Sequence, residues 1–130
     1  AFLNVKLKYI QQDIAGRRKV ANYYLENIKN PAIILPTVLN KEGHVWHLFV
    51  IRTSNRVGLQ NHLSENGIQA LIHYPIPPHK QDAYEEFNHL SFPIAEDMST
   101  EVLSIPMNSI ITKKEQSSIV KILNHFKIDG

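Results

Sequence analysis

The run His73-Tyr74-Pro75-Ile76-Pro77-Pro78-His79-Lys80 gathers two imidazoles, a phenol and an ammonium within eight residues. Its prolines restrict the backbone to an extended, stiff loop. Donors fixed before a ligand arrives lose less freedom on binding, so such a loop suits ligand recognition. His79 and Lys80 would suit an anionic group such as a diphosphate. The plainer reading, a proline-stiffened connection with an exposed polar tip, stands beside it.

The chain has seven histidines in all. His47 and His73 each interrupt an apolar strand pattern, where an imidazole must find a hydrogen-bond partner or sit at an open cleft. His47 is expected to be a satisfied structural residue. His73 stands at the C-terminal end of its strand, where ligand sites of α/β sheets gather, and for it both readings remain. His62, His89 and His125 are expected at the solvated surface. His44 and His47 are three apart, which places them on opposite faces of a strand, and there is neither cysteine nor an HExxH pattern to support a zinc site. No GxSxG elbow, paired carboxylates in register or GxGxxG loop occurs either.

The elements that would carry these side chains follow from periodicity. Leu3, Leu7, Ile10, Ile14, Ala21, Tyr24 and Ile28 recur at helical spacing and predict one long helix with a single buried stripe, ending near Asn27 to Asn30 before Pro31. Gly16 is its weak point, because an interior glycine costs about 1 kcal/mol against alanine. The short apolar run Ile33-Ile34-Leu35 stops at Pro36. Val45 to Arg52 carries the strongest strand signal, with both faces buried as in a central strand. Asn55 caps a helix that stops at Asn66-Gly67. A second strand runs from Ile68 to Tyr74, short helices from Gln81 to Phe87 and from Ile94 to Glu101, and a third strand from Val102 to Ile105. Thr112 and Glu115 form a capping box for a last helix carrying Ile119, Val120, Ile122, Leu123 and Phe126. Together these predict one α/β sandwich.

Composition narrows the partners. Fourteen basic and twelve acidic residues are scattered along the chain, leaving +2 and no block of like charge, so there is no footprint for nucleic acid. No apolar run has the roughly 20 residues that a membrane-spanning helix needs. Absence of cysteine suits the cytoplasm, and Lys6 and Lys8 interrupt any signal-peptide core. The helical pattern is already running at Ala1-Phe2-Leu3, without methionine or cap, as if a longer helix had been cut at its start.

Taken in order, Ala1-Phe2-Leu3 with Lys6-Leu7, His44-Val45-Trp46-His47-Leu48-Phe49-Val50-Ile51-Arg52, Gly67-Ile68, His73-Tyr74-Pro75-Ile76-Pro77-Pro78-His79, Phe92-Pro93-Ile94-Ala95-Glu96 and Val102-Leu103-Ser104-Ile105-Pro106 closely resemble the C-terminal part of DegT/DnrJ-type sugar aminotransferases. The resemblance implies that residues 1–130 are the small domain of a fold-type-I enzyme, a short mixed sheet flanked by helices, with the large cofactor-binding domain absent. It implies a homodimeric parent that uses pyridoxal phosphate to move an amino group, commonly from glutamate, onto a keto-sugar nucleotide. A dTDP-3-keto-6-deoxyhexose is the substrate most in keeping with it, for surface polysaccharide, such as lipopolysaccharide, or amino-sugar biosynthesis. The family's Schiff-base lysine would precede Ala1; Lys6, Lys8 and Lys80 match no such motif. No catalytic residue and no cofactor is therefore expected on this chain, which alone would be inactive. The family's substrate-side wall maps onto His73, Tyr74 and His79, with Lys80 beside them, as hydrogen-bonding groups for sugar or diphosphate. The alternative is a stand-alone α/β binding or regulatory module that oligomerises through its first helix.

Overall fold

In the computed structural model, which describes residues 2–128, the apolar residues of five elements meet in one core. Helix α1 (Phe2–Leu7) is followed by α2 (Ile10–Asn27), strand β1 (Phe49–Arg52) and α3 (Arg56–Glu65). Two 3-10 segments (Pro78–Lys80 and Asp82–Phe87) lead to α4 (Pro93–Glu101), which passes directly into β2 (Val102–Ile105), and α5 (Lys113–His125) closes the chain. The core joins Tyr24 of α2, Phe49 and Ile51 of β1, Leu59 and Leu63 of α3, Leu103 of β2 and Leu123 of α5, all fully buried.

The sheet is small because few backbone groups find ladder partners. Strand β1 pairs antiparallel with β2, Phe49 opposite Ile105 and Arg52 opposite Val102. Isolated antiparallel bridges extend it by one residue on each side, Ile34 to Arg52 and Leu71 to Ser104. The order is thus Ile34, β1, β2, Leu71, and every pairing among the described residues is antiparallel, which corrects the expected mixed sheet.

Three predicted elements are shorter than their sequence pattern. The first helix breaks at Lys8-Tyr9 rather than at Gly16, and its stripe is buried only from Val20 onward; Leu3, Leu7 and Ile10 are exposed. Gly16 instead lies against Ser109, where a Cβ would come within 2.7 Å of the serine Cβ. The expected strand from Val45 begins only at Phe49, because the backbone turns into the left-handed region at Trp46, φ 54°. Trp46 is still buried, stacked on Phe49 with ring centroids 5.3 Å apart. The strand expected from Ile68 to Tyr74 reduces to the single bridge at Leu71, and Pro75, Pro77 and Pro78 beyond it lack the amide hydrogens that a ladder would need.

The caps agree with the sequence. Asn55 Oδ1 accepts from the Gly58 amide at 2.9 Å, Gly67 takes φ 74° after α3, and Thr112 and Glu115 make a reciprocal capping box on α5. The opening reading at Ala1 lies outside the described residues.

Candidate functional site

The bridge at Leu71 is what aims the histidine two residues later. The Leu71 amide donates to the Ser104 carbonyl at 3.0 Å and the Ser104 amide to the Leu71 carbonyl at 2.7 Å. Residues two apart in extended chain share a face, and His73 folds over β2 with Nδ1 2.9 Å from the Ser104 hydroxyl. The His73-Tyr74 peptide is cis, and the two rings meet edge to face at 5.6 Å. His73 is half-buried and Tyr74 exposed.

Between this pair, the proline loop and α4 lies an open groove of about 230 Å³. Its wall carries His73, Tyr74 and Gln81 as polar groups, with Ile76, Pro77 and Pro78 beside them; Ala95, Met98 and Ser99 of α4 and Val102 of β2 face them. The loop is braced by the Gln81 side chain, which donates to the Ile76 carbonyl at 3.2 Å. On its other side His73 also borders a second cleft, of about 290 Å³, with Leu48, Gln69 and Met107.

His79 and Lys80 are placed differently. His79 is 8% exposed, its Nε2 lies 2.9 Å from Glu96 Oε1, and its ring stands edge-on to Phe92 at 4.8 Å. The same Glu96 oxygen accepts the Phe92 amide at 2.9 Å, in the first turn of α4. These bonds, the Phe92 amide foremost and then the His79 ring, hold the Glu96 carboxyl below its ordinary range. Lys80 Nζ donates to the carbonyls of Asn88 and Leu90, at 2.9 and 3.0 Å. Neither side chain lines the groove. The loop is therefore not a free polar tip: two of its four polar groups tie it to the segment that follows.

The remaining histidines are accounted for locally. His47 precedes β1 and is exposed, against the buried position expected for it, because the strand has not yet begun. His44 Nδ1 accepts from the Trp46 amide at 3.1 Å, shaping the turn. His62, expected to be solvated, is half-buried with Nε2 3.0 Å from the Ile122 carbonyl; His89 and His125 are exposed. Among the described residues no three potential metal ligands converge, and no helix is long and apolar enough to cross a membrane.

Three contributions escaped the pattern. Ser104 carried a signal, a lone polar residue in the apolar run Val102 to Ile105. Ser99, 8% exposed, donates to the Glu96 carbonyl at 2.7 Å, which no local pattern marks. Arg17, expected on a solvated helix face, donates to the carbonyls of Trp46, His47 and Met107 at 3.2 to 3.4 Å while pairing with Asp13 at 2.9 Å.

The chain is thus an α/β unit with a short antiparallel sheet and a proline-walled groove at its edge. The chain belongs to the DegT/DnrJ/EryC1/StrS aminotransferase family, whose model matches residues 1–124. It is 49% identical over 126 residues to a dTDP-3-amino-3,6-dideoxy-alpha-D-galactopyranose transaminase of Aneurinibacillus thermoaerophilus, covering 97% of this chain and 35% of that protein. Among solved structures, S. venezuelae DesV in complex with a ketimine intermediate superposes with a TM-score of 0.91 at 30% identity, over 98% of this chain and 36% of that one. NtdA from Bacillus subtilis with bound cofactor PMP superposes with a TM-score of 0.81 at 28% identity, over 91% and 29% respectively. The chain spans about a third of the length of the curated relatives it matches.

Members of this family work with pyridoxal phosphate. That cofactor requires an enclosed lysine amine, which Lys6, Lys8 and Lys80 do not supply: Lys6 and Lys8 are exposed and Lys80 is committed to two carbonyls.

Proposed function

We propose that this chain forms the substrate-side wall of a pyridoxal-phosphate-dependent aminotransferase that transfers an amino group, commonly from glutamate, to a dTDP-linked 3-keto-6-deoxyhexose. The observation that carries the reading is the groove in which His73, Tyr74 and Gln81 face Ala95, Met98 and Val102. A deoxyhexose presents hydroxyl oxygens on some edges and a methyl group on another, and this groove sets hydrogen-bonding groups against an apolar side. His73 and Tyr74 hydrogen-bond the sugar. His79 and Lys80, turned inward, contribute by holding the loop in place, and the charge of the diphosphate is met by groups beyond this groove. The cofactor supplies the amino-transfer chemistry when bound, while this chain positions the sugar. The reading also places residues 1–130 as the small domain of a larger cytoplasmic homodimer.

The test is kinetic. In the enzyme that contains this chain, His73→Ala and Tyr74→Phe raise KM for the sugar nucleotide by about tenfold each, a loss of roughly 1.4 kcal/mol of binding, with kcat little changed. Unchanged constants in both variants would remove the groove from the substrate path. The alternative of a stand-alone module that oligomerises through its first helix is supported by the exposed apolar side chains of α1. It requires that pairing through α1, rather than sugar binding, respond to substitution.

A further inference from the structure

Ser104 is 5% exposed, and its peptide amide and carbonyl are both taken by Leu71. Among the described residues the only hydrogen bond to its hydroxyl is the one to His73 Nδ1, at 2.9 Å. Two proton arrangements fit that distance. If Nδ1 carries the proton and donates to Oγ, the hydroxyl hydrogen has no protein acceptor among the described residues and is left to the second cleft, which Ser104 borders. If Nδ1 is bare, the hydroxyl donates to it and both groups are satisfied. A hydroxyl on a residue only 5% exposed is better satisfied by a fixed acceptor 2.9 Å away than by the cleft, so the second arrangement prevails.

We infer that Ser104 is a positioning residue that locks the His73 ring with its proton on Nε2. The consequence is polarity. Nε2 has no hydrogen-bond partner among the described residues, and His73 lines the groove. A ring held in this way offers a donor to a ligand at the groove or the adjoining cleft, both of which His73 borders, and the atom it recognises is an acceptor oxygen of the ligand. This deepens the substrate-wall proposal and rests on it for the identity of the ligand, but the lock itself does not depend on a ligand being present.

The lock is read directly by nitrogen NMR of the 130-residue chain labelled in histidine, at about pH 8.5. In the wild type, His73 Nδ1 resonates as a bare, pyridine-like nitrogen and Nε2 as a protonated, pyrrole-like one. In Ser104→Ala both shifts move toward those of an unrestrained imidazole, whereas Ser104→Thr, which keeps the hydroxyl, restores the wild-type pair. A protonated Nδ1 in the wild type, or shifts unmoved by Ser104→Ala in a folded chain, overturns the inference. A protonated Nδ1 in the wild type overturns it even where Ser104→Ala does not fold.

Kinetics of the enzyme containing the chain separate the lock from the substrate reading. Ser104→Ala raises KM for the sugar nucleotide by about fivefold with kcat within about twofold, and Ser104→Thr does not. If the NMR pattern holds while KM is unmoved by either Ser104→Ala or His73→Ala, the lock stands and the substrate wall falls. If inhibition by thymidine diphosphate alone weakens in parallel with KM, the acceptor oxygen is a phosphate's; if it is unchanged, the oxygen belongs to the sugar. Either result supports a donor at Nε2.

Discussion

His79 is tied down on three sides, by the Glu96 carboxylate, the Phe92 ring and the loop backbone around it, and it supports the groove from behind. Replacing it by alanine removes a buried hydrogen bond and leaves a void beside Phe92. The expected loss is about 1–3 kcal/mol of stability by urea denaturation. Acid acts on this contact and on two others elsewhere in the fold. The carboxyls of Asp13, Glu96 and Glu115 are all held below their ordinary range, by the Ser109 hydroxyl and then Arg17, by the Phe92 amide and then His79, and by Thr112. A folded-state value below the unfolded one means that the stabilisation is present above the ordinary carboxylate range and lost as pH falls through the folded value. The urea midpoint should therefore hold from pH 7 to about 5 and decline below about 4, less steeply in Glu96→Gln. The sequence made the run from His73 to Lys80 legible as a stiff donor-bearing loop, because proline fixes φ regardless of context. Which donors face outward was not legible. That depends on Glu96, which is 17 residues from His79 and meets it only once α4 has docked.

Gly16 shows how an element is governed by what packs on it. Helix propensity alone would make Gly16→Ala stabilising by up to about 1 kcal/mol. In the fold, the added methyl would lie 2.7 Å from the Ser109 Cβ and 3.0 Å from its carbonyl oxygen, on the segment whose hydroxyl donates to Asp13. The substitution is therefore expected to lower the thermal midpoint rather than raise it, and a rise would mean that the segment after β2 can retreat without loss. The capping box of α5 behaves more locally. Thr112→Ala should lose about 1 kcal/mol, measured by urea denaturation, since the Glu115 amide is left without its side-chain acceptor. Helix ends of this kind were readable because caps are short-range chemistry. Strand ends were not: Val45 to Leu48 have the composition of a strand, yet Arg17 of α2 captures the carbonyls of Trp46 and His47, and the left-handed turn at Trp46 takes the segment out of register. A β pattern records what a segment can bury, while its ladder depends on a neighbour that periodicity does not name.

At the scale of the whole molecule, the core is built without α1. None of its residues is buried, and Phe2, Leu3 and Leu7 are 83, 75 and 61% exposed. Leu3 and Leu7, with Val5, Tyr9 and Ile10, border an open cleft of about 440 Å³. An amphipathic helix normally owes its stability to the face it buries, and a six-residue helix is too short to persist on propensity alone. Removing residues 2 to 7 should therefore change the urea midpoint by less than the equivalent of about 1 kcal/mol, far below the loss from truncating a core residue such as Leu123, which is about 2–5 kcal/mol. The same apolar face should make itself felt in solution. Contiguous exposed apolar surface drives association, so the apparent mass of the chain in sedimentation is expected to rise with concentration, and Leu3→Glu combined with Leu7→Glu should abolish the rise without shifting the urea midpoint. A midpoint that falls with the truncation would instead show that α1 carries part of the fold's stability, and a mass that is unchanged by the paired glutamates would place the associating surface elsewhere on the chain.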